Sequence, residues 1–130
     1  MAYSENKTVI SLPASTDLSG SQYCFVSIDT SGEVALSGAA GNAIGILQNK
    51  PAAQGRAAEV LVSGVSKLVC AGSGSGTRAG YNVGSAAAGK GRETTTGDFR
   101  LGLIIETATN ANEIATVLFS PNGKVASGIR

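Results

Sequence analysis

The chain has 130 residues, a formal net charge of +1, 18 glycines, two cysteines, and no histidine or tryptophan. Its length suits one domain, but its Val, Ile, Leu and Phe content leaves only a thin core. The lack of histidine removes Ser-His and Cys-His nucleophile pairs, an imidazole base at neutral pH and the histidine-containing zinc sites.

Two cysteines, Cys24 and Cys70, cannot build a four-thiolate zinc site, and no metal or cofactor is expected. They read as free, buried thiols of a protein made in a reducing cytoplasm. Nearly balanced charge without a Lys/Arg run argues against nucleic acid as a partner. No apolar stretch approaches the roughly 20 residues of a membrane span, so no membrane partner is expected. The segment from Met1 to Lys7 lacks the basic and apolar regions of a signal peptide.

Residues 1–22 read as an extended N-terminal arm. They are polar apart from Val9-Ile10-Ser11-Leu12, which Pro13 ends. Such a segment is either a frayed terminus or an arm that orders on a neighbouring chain. Residues 23–121 read as a β-body. Tyr23–Ile28 is a strand, Asp29-Thr-Ser-Gly32 suits a tight turn, and Glu33–Leu36 returns as a hairpin. Ala43–Gln48, Ala58–Ser63 and Val65–Cys70 follow as strands, with Gly64 placed where one long strand would bend or bulge. From about Ala71 to Gly97 the chain is loop-rich, broken by a short Tyr81–Val83. Phe99–Thr107 and Glu113–Phe119 are the last strands, and residues 122–130 form a short C-terminal tail. The Ala clusters are interrupted by Gly or Pro before two helical turns complete. The fold class expected is all-β: a small β-barrel or β-tulip-like sandwich with an extended arm and little or no helix.

Several strands are apolar on both faces. Leu61, Ile104, Val117 and Phe119 oppose apolar neighbours across their own strands, and both faces need cover. Closure of the barrel or burial under loops would supply it, as would a second subunit. The subunit interface is the reading taken here for these four residues.

The chemical motifs are weak. Gly84–Gly91 matches G-x-x-x-x-G-K, but Gly91 stands where Ser or Thr must hold magnesium, and no helix follows. Gly74-Ser-Gly-Thr-Arg-Ala79 lacks the helix of a dinucleotide site. Asn6-Lys-Thr8 is a formal glycosylation sequon without a secretory signal. Glu106 and Glu113 flank one turn and read as solvated strand ends rather than a proton-sharing pair. Arg78, Lys90 and Arg92 lie in the loop-rich stretch, either solvated or touching acidic groups on a partner.

With the strands placed, Ala43-Ile-Gly-Ile-Leu-Gln-Asn-Lys-Pro51 and Ala57-Ala-Glu-Val-Leu-Val-Ser-Gly-Val-Ser-Lys-Leu-Val69 resemble a run found in tailed-phage capsid decoration (head cement) proteins. Ala79–Val83 is similar to that family's A-G-D-x-[VL] turn, with Tyr81 where an acidic residue is usual. Leu101–Glu106 and Glu113–Pro121 resemble its last two strands. The resemblance covers residues 23–121. It implies a structural virion protein, without catalytic residues, made in the bacterial host cytoplasm. Such a protein binds the outer surface of an icosahedral head as an oligomer, often a trimer, and stabilises contacts between major capsid proteins. Its partners are then the major capsid protein and itself, with Val9, Ile10 and Leu12 of the arm as contacts to the capsid or a neighbour. The alternative is a small β-barrel module that binds a ligand or glycan on a virion or cell surface. An enzyme using Asp/Glu pairs ranks third.

Overall fold

A computed structural model describes residues 7–72 and 77–124. Nine strands run through them: β1 (Thr8–Pro13), β2 (Phe25–Ile28), β3 (Val34–Leu36), β4 (Gly45–Leu47), β5 (Ala57–Val69), β6 (Asn82–Ser85), β7 (Gly91–Glu93), β8 (Gly102–Glu106) and β9 (Ile114–Phe119). Among the described residues, the helical content is one 3-10 turn, Ala87–Gly89. The strands pair antiparallel in the order β3-β2-β4-β5-β9-β8-β6-β7, with β1 also on β5. The sheet curls into a half-barrel, as the all-β expectation required.

Local chemistry sets the turns and bends. In the β2–β3 hairpin the Gly32 N–H donates to the Asp29 carbonyl at 3.0 Å. The Asp29 carboxylate accepts from the Ser31 and Glu33 amides, both at 2.9 Å. Gly32 takes φ +79°, which a side chain would resist. The expected break in the long strand occurs at Gly64, where φ is +120°. The β1 register slips there too, from Val9 opposite Leu61 to Thr8 opposite Ser63. Before the slip β5 pairs with β1 and β4; after it, with β9.

Two buried clusters lie on opposite faces of the curled sheet. The larger gathers Phe25, Ile46, Leu61, Leu68, Cys70, Val83, Leu101, Ile104, Val117 and Phe119. The smaller gathers Ala14, Leu18, Val26, Val34, Leu47, Ala58 and Val60. Alternation along the strands feeds both. Phe25, Ile46 and Leu61 point one way; Val26, Leu47 and Val60 point the other. Single bridges tie the flanks back: Ala14 to Val34, and Cys70 to Gly91.

Two expectations change. Leu61, Ile104, Val117 and Phe119 are not surface residues awaiting a second subunit; their exposures are 0, 1, 0 and 2%. The sheet curls around them, so this chain supplies the cover. Residues 8–22 are likewise not a detached arm. Thr8–Pro13 pairs along the chain's own β5, the Ser15 amide donates to the Val34 carbonyl, and the Leu18 amide donates to the Pro51 carbonyl. Ala14 and Leu18 complete the smaller core because they are the apolar side chains the turn-rich run supplies. At the other end, Lys124 bridges to Phe99, so the start of the tail is also part of the sheet.

This packing has a direct test. Leu61→Ala should lower the unfolding free energy of the isolated chain by about 2–5 kcal/mol, independent of protein concentration. Urea denaturation at two concentrations checks it. A midpoint unchanged from wild type would return Leu61 to the surface.

Candidate functional site

The polar groups with the most structure around them lie along β6, β7 and β8. The segment after Thr77 runs beside the end of β8: Thr77 bridges to Ala108, the Ala79 amide donates to Thr107 Oγ1, and the Gly80 amide donates to the Ile104 carbonyl. This places Arg78 over Glu93, the last residue of β7. Arg78 Nε donates to Glu93 Oε2 at 2.7 Å, and Nη2 donates to Oε1 at 2.9 Å. The Arg78 amide adds a third bond to Oε2, at 3.1 Å. The Glu93 side chain is 1% exposed and that of Arg78 is 44% exposed. The carboxylate is therefore buried beneath a guanidinium that still reaches water. The Tyr81 ring lies 4.3 Å from the guanidinium carbon. The Glu93 hydrogen bonds hold Arg78 in its charged form even more firmly than usual.

A second pair sits one residue away along β7. Arg92 Nη2 donates to Asp98 Oδ1 at 2.7 Å, and Asp98 Oδ2 accepts from the Thr95 amide at 2.9 Å. Gly97, at φ +91°, allows this turn. Arg100 Nε donates to Asn82 Oδ1 at 2.7 Å, and its Nη1 donates to the Ser120 carbonyl at 3.1 Å. Lys90 Nζ donates to Asn112 Oδ1 at 2.7 Å.

The acidic partners expected for Arg78 and Arg92 are thus the chain's own Glu93 and Asp98, while Lys90 meets an amide. These groups act as struts that fix short strands. Sequence reading passed over Glu93 and Asp98 because Arg92-Glu-Thr-Thr-Thr-Gly97 carries no periodicity long enough to place them inward.

The weak motifs resolve as structure. Gly84–Gly91 holds the end of β6, the 3-10 turn and the start of β7, with Lys90 directed at Asn112 rather than into a phosphate loop. Gly74, Gly76 and Asn6 lie outside the described residues. Glu106 accepts from the Thr116 hydroxyl. Glu113 Oε1 accepts from the Thr109 and Asn110 amides at 2.9 and 2.8 Å. Those backbone bonds hold its carboxyl below the ordinary value of 4.5. The two carboxylates are bonded separately, each within its own part of the turn. Cys24 and Cys70 are free and buried. Burial pushes both thiols up, which disfavours the nucleophilic thiolate.

Among the described residues there is no ligand-sized cavity and no group of three metal-ligating side chains. The described aromatics are also occupied. Phe25 and Phe119 meet in the core, with ring centroids 6.2 Å apart. Tyr23, Tyr81 and Phe99 are capped by Lys67, Arg78 and Lys124. Of the expected arm contacts, Val9 and Ile10 remain exposed on β1, whereas Leu12 packs against the smaller cluster.

No protein-family model matches the sequence, and no curated protein does. The fold, however, has a solved counterpart. The chain is similar to the N base of head fiber gp8.5 in bacteriophage phi29, with a TM-score of 0.68 at 14% identity. The match covers 92% of this chain and 98% of that one. It shows a shared fold and extends over β1 and the β6–β8 region alike.

Two measurements probe the polar framework. Arg78→Ala should cost about 2–3 kcal/mol in unfolding free energy, because it leaves the Glu93 carboxylate buried without its fork. Chemical denaturation at neutral pH reads this, and a loss indistinguishable from zero would show that the pair is no strut. Glu113→Gln tests the turn. A depressed carboxylate adds stability above its ordinary value of 4.5 and loses it as pH falls below that value. The wild type should therefore exceed the variant in urea midpoint at pH 6, and the gap should close by about pH 3.

Proposed function

We propose that this chain is a structural protein of a phage virion. It sits on the outer surface of the head as an oligomer, a trimer in the simplest form, and stabilises contacts between major capsid proteins as a decoration protein does. The observation that carries this reading is the fold likeness to a phage head fiber base, nearly end to end in both chains. The finer role comes from the cement-protein strings of β4, β5 and β8. The framework fits such work: the buried carboxylates are paired, the thiols are enclosed, and the described rings are covered, which leaves a surface suited to docking rather than chemistry. Repeated modest contacts on a symmetric shell would then add through effective concentration.

The test is addition of the purified full-length chain to expanded, undecorated heads of its phage. Saturable co-sedimentation is expected, with the decorated heads surviving a higher temperature than bare ones. Failure to bind under conditions where a known decoration protein binds its own head would overturn this reading.

A further inference from the structure

The outward face of β5, β9 and β8 is ordered in a way that the core does not require. Inward residues of these strands, Ser66, Leu68, Ala115, Val117 and Ile104, are buried. Their alternates form three rows across the sheet. In the first, Leu118 pairs with Val65 on one side and Leu103 on the other. In the second, Thr116 pairs with Lys67 and Glu106. In the third, Ile114 pairs with Val69. Ile105 stands in the β-bulge beside Glu106. Ile105, Ile114 and Leu118 are 46, 48 and 37% exposed, three of the six large apolar side chains the described surface displays.

The middle row carries opposite charges at its two margins. Lys67 is at the β5 margin and Glu106 at the β8 margin, about two strand spacings or ~10 Å apart. Lys67 lies over the Tyr23 ring and Glu106 accepts from Thr116, but neither has an oppositely charged partner among the described residues. A face that is apolar in its outer rows and positive on one margin but negative on the other complements a copy of itself set side by side. The two margins differ, so the contact is heterologous and repeats around an axis into a closed ring.

We infer that this face joins copies of the chain into a cyclic oligomer, with Lys67 of one copy paired to Glu106 of the next and Leu103, Ile105, Ile114 and Leu118 buried between them. The inference deepens the virion reading and rests on its oligomeric part alone.

Sedimentation equilibrium of the full-length chain tests it. The wild type should reach a ring mass, three times 12.9 kDa for a trimer. Lys67→Glu and Glu106→Lys should each weaken association by at least about tenfold, and the double reversal should recover most of that loss. Leu118→Asp should give monomers. Circular dichroism melts of each variant read folding independently. The charge-reversal set decides the matter even if Leu118→Asp unfolds, because Lys67 and Glu106 make no core contact. A monomeric or dimeric wild type, single reversals without effect, or a double reversal no better than the singles would each overturn the inference. Head binding is scored separately. A ring that ignores heads sinks the virion reading and leaves this face intact, whereas a head-binding monomer does the reverse.

Discussion

Two cores in so small a chain need a partition that both can use, and β5 provides it. Its thirteen residues give Leu61 and Leu68 to one cluster and Ala58 and Val60 to the other. Strict alternation cannot place residues 61 and 68 on one face, since they differ by an odd number of positions. The irregularity at Gly64 corrects the phase, with its positive φ and the adjacent slip in the β1 register. β1 and β4 before that point, and β9 after it, are set in register by the strand they share. Most of the molecule's close backbone approaches follow. A Cβ at Gly45 would run into the Leu61 carbonyl, and one at Gly102 into the Leu118 carbonyl.

Much of this was legible in the residues. The β2–β3 hairpin, β4, β5 with its break at Gly64, β8 and β9 all stand where β-branched runs and turn residues put them, within a few residues at each end. β7 was missed because Gly91-Arg92-Glu93 is too short to show a period, and it exists by pairing with β6 and bridging to Cys70. The first 22 residues were misread for a related reason. Ala14 and Leu18 look incidental in a polar run, and only the concave side of the curled sheet makes them core. Phase was the other difficulty. Apolar residues on both faces announced that both needed cover, but nothing in a strand of alternating apolar residues says which set turns inward. Val117 and Phe119 did, leaving Ile114 and Leu118 outside.

The charged groups divide by the same geometry. Glu93 and Asp98 are held inside by arginines whose far ends stay in water, so the short strands gain fixed cross-links without an unpaired buried charge. Lys67 and Glu106 stand on an outer face with no such partner nearby. Paired charges brace the body and unpaired ones mark its boundary, which is the arrangement expected where a framework is finished by its neighbours.

The division of the cores also sets an order in time. The members of the smaller cluster all lie between Ala14 and Val60, with flanking contacts reaching Val62. The larger cluster begins at Phe25 but is incomplete until Phe119. During synthesis the first can close while half the chain is still unmade. The second must wait for strands that are far apart in sequence, a slow step that exposes apolar edges. The early unit then serves as the template on which β9 is laid, and β5 presents an open edge until the last strand leaves the ribosome.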